Sequence, residues 1–425
     1  MVATIVAATA TSTVHTVPVT GHSSSLHVQP PIPAGFLPPA SPGQISFTRA
    51  ALAGAIARTS TLITANQDTL DYLAYKSMFE LHLCFEDKPV MEVRNTFQML
   101  ADTGRTGLPG AVGGGITDIV MNHLGYVWRD NGEGGTPYHE SHPDYIYGGG
   151  AANGLGIVLA EAHGSLSQSV NQGYITNKAV KKYGNQVQQF IGHSYKNAVV
   201  LHGYSIAFGV NPHIPGACLH IAETRHGASQ GEPQPPPAPP PAALVLSSQR
   251  SNLTLMGAEQ LVSWIDYVSA SPESDRPSDE VVTFNVFEYA GQKVAMMLFD
   301  CHCPDLEIIL GLGVRAHPHL WHPAGFEHRA RSRFPIQGWF AMELTALEAF
   351  LKFLTNQINS PETKVFEEDL PTFDPFGFGT DGLPDRDRSY EYARYRDGLV
   401  YLITPPKRLV GRLSWEPFKG LLNLG

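Results

Sequence analysis

The chain has 425 residues, of which 43% are hydrophobic and 16% are charged, with a formal net charge of −10 at pH 7. This length allows two or three domains with a packed core, and the acidic balance argues against tight, extensive nucleic-acid binding, which requires Lys and Arg to displace counterions. Four Cys are too few for a disulfide framework, and the absence of an 18-residue apolar stretch or a signal peptide predicts a cytosolic chain with no membrane partner.

The N-terminal segment, residues 1–48, contains no Asp, Glu, Lys or Arg. A free tail is normally rich in charge, whereas this segment carries β-branched runs such as Thr4-Ile5-Val6. Burial against a neighbouring subunit would stabilise it at roughly 25 cal/mol per Å² of apolar area. The charged fraction of the whole chain also lies below the roughly 25% of an average domain, which favours permanent interfaces. We therefore predict that residues 1–48 form an arm that docks on another copy.

The next segment, residues 49–226, is predicted to be a helical domain. Apolar spacing and helix-forming residues predict helices over 50–63, 70–85, 90–100, 116–128, 155–163 and 179–191. The glycine-rich run 104–115 is predicted to separate two of these helices. It lacks the Lys-Ser/Thr ending of a nucleotide-binding P-loop. Residues 199–210 are apolar and fit either a helix or a buried strand.

The second half begins with a Pro-rich linker or loop at residues 227–248, in which 235–241 favours the polyproline II conformation. Residues 249–425 are predicted to be a mixed α/β domain. Its elements are a hairpin over 281–289 and 292–299 turning at Ala290-Gly291, a long helix over 340–358 and a strand at 398–403. The fold class is therefore predicted as α+β, predominantly α-helical, with long loops and a small β element in the second half.

One enzyme-like string is Gly192-His193-Ser194-Tyr195-Lys196, which is similar to the nucleophile elbow of α/β-hydrolases. Asp300 and His328 follow in that family's order of acid and base. However, Lys196 stands where the elbow requires glycine. A cytosolic α/β-hydrolase using Ser194 is therefore the alternative interpretation of function.

A second enzyme-like feature is a concentration of imidazole and thiol groups, both of which suit Zn²⁺. It comprises Cys301, His302, Cys303, His317, His319, His322 and His328. The spacings Cys-x-x-Cys and His-Glu-x-x-His are missing, and Pro318 and Pro323 interrupt the stretch. A metal-dependent hydrolase remains an alternative, but we predict no catalytic residue, no cofactor and no metal ligand.

The same region holds the densest basic patch of the chain, formed by Arg315, Arg329, Arg331 and Arg333 with only Glu327 opposing them. Arginines interleaved with aromatic residues are typical of phosphate contacts. The patch predicts weak, non-specific contact with RNA. Alternatively, the patch is a solvated loop or forms ion pairs between subunits.

In composition and architecture, the whole chain resembles the capsid proteins of small double-stranded RNA viruses of fungi, such as the partitivirus and totivirus groups. The resemblance implies a non-enzymatic structural protein that assembles with itself into a closed shell through obligate interfaces and an interlocking N-terminal arm. It also implies a location in the virion and the host cytoplasm. No functional residue is transferred from that family.

Overall fold

The computed structural model describes residues 13–20, 28–29, 36–60, 77, 80–81, 84–86, 88–94, 97, 102–132, 141–152, 154–195, 198–226, 242–269, 276–297, 339–360, 370–375, 392–402, 406 and 408–422.

The first half of the chain forms an eight-stranded mixed sheet. Its strands are β1 (His15–Thr20), β3 (Gln44–Phe47), β4 (Trp128–Asn131), β5 (Tyr145–Gly148), β6 (Ile157–Leu166), β7 (Ser194–Tyr195), β8 (Ala198–Val210) and β9 (Ala217–Glu223). The order across the sheet is β3-β1-β9-β8-β6-β5-β4, and β7 pairs with β8. Strands β6 and β8 are parallel, as are β1 and β9, and the other neighbours are antiparallel. Two short strands, β2 (Val28–Gln29) and β10 (Arg225–His226), form a separate parallel pair.

Three helices belong to this sheet: α1 (Arg49–Thr59), α2 (Asp102–His123) and α3 (Gln172–Lys182). Thr48 caps the N-terminus of α1, because its hydroxyl accepts a hydrogen bond from the backbone nitrogen of Ala51 at 3.1 Å. Helix α2 packs against β6 and α1, and α3 packs against β8 and β9 on the other face of the sheet. Parallel β6 and β8 are thus covered on both faces, as parallel strands require.

The second half forms a seven-stranded sheet with the order β14-β15-β13-β12-β11-β16-β17. Its strands are β11 (Val282–Tyr289), β12 (Gln292–Met296), β13 (Trp339–Glu343), β14 (Tyr392–Arg394), β15 (Leu399–Leu402), β16 (Arg408–Glu416) and β17 (Gly420–Leu422). Three more helices are α4 (Ala242–Met256), α5 (Glu259–Ser269) and α6 (Leu344–Asn359). Helix α6 packs on this sheet, whereas α1 contacts both α2 and strands β14 and β15. The two halves therefore share one core.

A buried ion pair network joins the two halves at helix α1. The Arg58 guanidinium binds both carboxylate oxygens of Asp397 at 3.1 and 3.0 Å and lies 3.3 Å from the Asp118 carboxylate. All three side chains are excluded from solvent. Asn252 donates to Asp397 at 2.9 Å, and the Tyr395 ring lies 4.3 Å from the guanidinium carbon of Arg58. Because every charge has a partner, the network specifies how α1, α2 and the β14–β15 turn meet.

The prediction of a predominantly helical chain with one small β element is wrong. Two large sheets are present, and strands and helices contribute similarly to the described residues. Residues 155–163, predicted as a helix, lie largely in strand β6, and residues 199–210 lie in strand β8. Alanine, leucine and glutamate favour a helix in isolation, but pairing with β5 and β8 overrides that preference.

The glycine-rich run 104–115 is also different from the prediction, because it lies inside helix α2 rather than between two helices. A side chain at Gly113 would approach the backbone nitrogen of Gly164 in β6 to 2.5 Å, and one at Gly115 would approach the side chain of Ile56 in α1 to 2.7 Å. The glycines therefore permit α2 to pack closely against a strand and a helix at once. Close packing outweighs the low helix propensity of glycine.

Several local predictions are confirmed. Helix α1 covers most of the predicted 50–63, α6 covers most of 340–358, and β15 lies within 398–403. The predicted hairpin is present as β11 and β12, and its turn residues Ala290 and Gly291 both have positive φ angles, 50° and 77°.

The described part of the N-terminal segment belongs to the chain's own sheet. Strand β1 lies between β3 and β9, and the side chains of Val17 and Ile45 are completely buried. Burial inside the subunit therefore accounts for the missing charge in this part of the segment. Among the described residues, no helix has the length and apolar character needed to cross a bilayer.

Candidate active site

Two carboxylates meet where strand β5 begins beside strand β6. Tyr145 of β5 pairs with Ala160 of β6, so Asp144, one residue earlier, lies beside Glu161. The Asp144 backbone nitrogen donates to Glu161 Oε2 at 3.2 Å, and Asp144 Oδ2 accepts a hydrogen bond from the backbone nitrogen of Ala162 at 2.8 Å. The antiparallel register thus places two acidic side chains, 17 positions apart in the chain, next to each other.

Glu161 is fully buried, and its carboxylate faces helix α3. Lys182, the last residue of that helix, donates to Glu161 Oε1 at 2.5 Å while its own side chain remains partly exposed. Burial, followed by the nearby Asp144, raises the pKa of Glu161 to about 8, although Lys182 opposes the rise. Glu161 is therefore mainly protonated at neutral pH, and a cation bound at this pair would displace that proton.

His163 lies two residues after Glu161, so both side chains point to the α3 face of β6. Burial, together with the charges of Lys178 and Lys182, lowers the pKa of His163. Its Nε2 atom is buried and makes no hydrogen bond to any described residue. Because its pKa is lowered, the imidazole is mainly neutral at pH 7.

This arrangement suits a hard divalent cation better than zinc. Mg²⁺ is commonly held by one or two carboxylates, with water and substrate phosphate completing its octahedron. Zinc sites need three or four protein ligands. Among the residues that the structure describes, no group of three or more His, Cys, Asp or Glu side chains converges on a metal position. Asp144, which is partly exposed, and Glu161 are two adjacent carboxylates, and both oxygens of Glu161 accept hydrogen bonds, from Lys182 and from the backbone of Asp144.

A second polar cluster lies around β8 and β9. His202 Nδ1 is 2.9 Å from His226 Nε2, and His202 Nε2 is 3.6 Å from the Glu223 carboxylate. The Tyr204 ring packs edge-on against His202, and its hydroxyl lies 3.0 Å from that of Tyr126. These groups partner one another, and the cluster is interpreted as a polar part of the core.

Of the site residues considered from the sequence, the described part of the chain includes Ser194. Ser194 is exposed on the two-residue strand β7, which pairs antiparallel with β8, so it does not occupy a turn between a parallel strand and a helix. The basic patch of Arg315, Arg329, Arg331 and Arg333 lies outside the described residues. The same is true of Lys196, Asp300 and the Cys and His residues between 301 and 328.

Sequence reasoning missed Asp144, Glu161, His163 and Lys182 because residues 155–163 were predicted as a helix. Side chains two positions apart diverge on a helix but share a face on a strand. The alternating pair Glu161 and His163 within an apolar run was the available signal, and a strand assignment would have made it visible.

No family model, curated protein or solved structure matches this chain in the comparisons made.

Proposed function

We propose that this protein is a metal-dependent hydrolase of phosphate esters, with Asp144 and Glu161 holding a divalent cation. The observation that carries the proposal is that these two carboxylates lie next to each other and that Glu161 is fully buried. A single lysine, Lys182 of helix α3, contacts the pair. Burial and the neighbouring Asp144 disfavour the ionised form of Glu161 when no cation is bound. Such an arrangement is expected where it serves a bound cation, and perturbed carboxyl groups cluster at functional sites.

The surrounding groups have assignable roles. A cation held by Asp144 and Glu161 would lower the pKa of a coordinated water and polarise a phosphoryl oxygen. His163, neutral at pH 7, would accept the proton of the attacking water, whose oxygen would form the new bond to phosphorus, while the ester oxygen would leave with the electron pair of the broken P–O bond and take up a proton from solvent. Lys182 lies beside the carboxylates, where its ammonium stabilises negative charge on the phosphoryl oxygens.

Phosphate is favoured as the substrate group because the helix that borders the site is basic. Helix α3 carries Lys178, Lys181 and Lys182 and contains no acidic residue. Lys181 is exposed, and the other two are partly exposed. Local cations of this kind attract an anionic substrate to a protein whose net charge is negative.

The test combines cation binding with hydrolysis. Mn²⁺ binding is measured by titration calorimetry, and hydrolysis of bis(p-nitrophenyl) phosphate and of DNA is measured with Mg²⁺ or Mn²⁺ and with EDTA. We expect Asp144→Asn and Glu161→Gln to lose cation binding and activity by more than the 10–100-fold typical of outer-sphere changes. Glu280→Gln, which removes an exposed carboxylate elsewhere, is the matched control. Hydrolysis that does not depend on a cation contradicts the proposal. Wild-type activity in Asp144→Asn and Glu161→Gln contradicts it as well.

The pH dependence of binding provides a second readout. Because burial raises the pKa of Glu161 to about 8, cation binding must displace a proton at neutral pH. Mn²⁺ affinity is expected to increase about tenfold per pH unit between pH 6 and 7.5 and to level off near pH 9. Glu161→Gln removes this dependence. A pH-independent affinity in the wild type contradicts the assignment of Glu161.

A shell-forming structural protein of the capsid type is a second proposal. The low charged fraction of 16% supports it, since a subunit with few charges is suited to extensive contact with other copies. Size-exclusion chromatography and negative-stain electron microscopy of the purified chain distinguish the two proposals. Closed particles in the void volume support the shell, and elution between monomer and tetramer supports the enzyme.

A further inference from the structure

Two histidines are in direct contact at the place where strand β2 joins the first half of the chain. His202 of β8 is completely buried, and its Nδ1 atom lies 2.9 Å from Nε2 of His226, which is half-buried on β10. The two rings are stacked, with an angle of 28° between their planes. The other ring nitrogen of His202, Nε2, lies 3.6 Å from the Glu223 carboxylate. A buried imidazole therefore faces a second imidazole and a carboxylate through its two nitrogens.

Both histidines also contact the N-terminal segment. His226 pairs with Gln29 in the short parallel ladder of β2 and β10, and the centre of the Phe36 ring lies 6.1 Å from that of the His202 ring. Each strand of the ladder has two residues, so the backbone pairing between them is short. The contact between the two histidines therefore lies beside a weak junction between the N-terminal segment and the rest of the first half.

The number of protons on the two rings decides whether this contact can form. A hydrogen bond between two imidazole nitrogens needs an N–H on one ring and a bare nitrogen on the other. Two neutral rings meet this condition, and so does a pair with one positive charge, which the Glu223 carboxylate stabilises from 3.6 Å. A second added proton places an N–H on both facing nitrogens and a positive charge on both rings. The contact then becomes repulsive.

We propose that the His202–His226 pair is a pH-sensitive latch that holds strand β2 and Phe36 on the first half at neutral pH and releases them in acid. The inference is independent of the proposed function. His202 is completely buried, so the half-buried His226 is the ring that moves away. Because His226 belongs to β10, its displacement breaks the ladder with β2. A solvated imidazole titrates near pH 6.5, so each pH unit below this value favours release by up to about tenfold.

The other ionisable groups on the neighbouring elements set the surroundings of the latch. Burial raises the pKa of Tyr204 and of Tyr126 well above the ordinary value of 10, so both phenols remain neutral in acid. His220 of β9 faces α3, where its Nδ1 atom lies 3.2 Å from the Thr176 hydroxyl. The remaining groups on the described neighbours are Glu223 of β9, Arg225 of β10 and His123 in the last turn of α2. The test therefore separates His226 from His123.

Hydrogen–deuterium exchange with mass spectrometry tests the latch on the full chain at pH 7.5, 6.5 and 5.5. Exchange times are scaled for the pH dependence of free amides. In the wild type, peptides that contain β2 or β10 should exchange about tenfold faster at pH 5.5 than at pH 7.5. In His226→Gln they should remain protected at pH 5.5, because glutamine can hydrogen-bond to His202 but cannot take up a proton.

Two histidine variants and one carboxylate variant are the controls. His213 is exposed in the loop between β8 and β9, so His213→Gln should release β2 as the wild type does. His123→Gln should also keep the release. Glu223→Gln removes the carboxylate that stabilises the charged pair, so its release should require a pH lower by roughly half a unit or more.

Each outcome decides for or against the latch. Equal protection of β2 and β10 at pH 7.5 and 5.5 in the wild type overturns it, and so does release at pH 5.5 in His226→Gln. Loss of the release in His123→Gln assigns the effect to another residue. The hairpin of β11 and β12 is the internal reference, and if it loses protection together with β2, acid unfolds the whole chain and the latch is wrong. If His226→Gln fails to fold, Glu223→Gln decides, because an unchanged release pH in that variant contradicts the latch.

Discussion

Replacing Glu161 by Gln tests whether the carboxylate pair is an electrostatically strained site or an ordinary buried ion pair. Burial and Asp144 raise the pKa of Glu161 from its ordinary value of 4.5 to about 8. The folded protein therefore holds this proton more firmly than the unfolded chain does. As the pH rises from about 4.5 through 8, the free energy of unfolding decreases, because the carboxyl must ionise in an unfavourable place.

The expected loss in free energy of unfolding follows from the pKa shift of Glu161. The whole rise corresponds to roughly 5 kcal/mol, which is an upper limit. Water penetration and local relaxation reduce such penalties in real proteins, so we expect about 2 kcal/mol. Glutamine carries no charge at any pH, so the variant does not lose stability in this way as the pH rises. Lys182, which is partly exposed, remains solvated when its partner becomes neutral.

The assay is urea denaturation without divalent cations at pH 5, 7 and 9, for the wild type, Glu161→Gln and the exposed control Glu280→Gln. Relative to the wild type, Glu161→Gln should gain about 2 kcal/mol in free energy of unfolding between pH 5 and pH 9, whereas the control should not. At pH 8, 10 mM Mg²⁺ should stabilise the wild type but not the variant. A variant that is less stable than the wild type by the same amount at every pH refutes the reasoning and indicates a structural ion pair.

Three further predictions concern packing and Ser194. Gly113→Ala should destabilise the protein by about 1–3 kcal/mol in urea denaturation, because the new methyl group meets the backbone of strand β6 at 2.5 Å. Gly110→Ala, on the same helix but with open space, should instead stabilise it by about 0.5–1 kcal/mol, and an equal loss in both would contradict the close approach. Arg58→Ala leaves two buried carboxylates uncompensated and should lower the free energy of unfolding by about 3–5 kcal/mol, so a loss below 1 kcal/mol would argue against the network. Ser194→Ala should leave phosphodiester hydrolysis within about twofold of the wild type, since the residue is exposed on a strand that pairs antiparallel with β8, and a complete loss would support the serine-hydrolase alternative.

Elements whose signals are local were predictable from the sequence. The hairpin of β11 and β12 follows from two β-branched runs around a turn whose residues adopt positive φ angles. Helix α6 follows from its apolar stripe, in which Leu347, Phe350, Leu351 and Leu354 are all buried. In both cases neighbouring residues alone determine the conformation.

Tertiary contacts determine which segments of the first half are strands or helices, and they determine where the site residues meet. Glycines that disfavour a helix locally are used in α2, because only they let it approach β6 and α1. Residues 157–166 form a strand because β5 and β8 pair with both of its edges. Those pairings also determine the register that brings Asp144 to Glu161, while the packing of α3 brings Lys182 to the same point. Strand register and helix packing depend on contacts between distant parts of the chain, so the amino-acid pattern of each segment does not contain them.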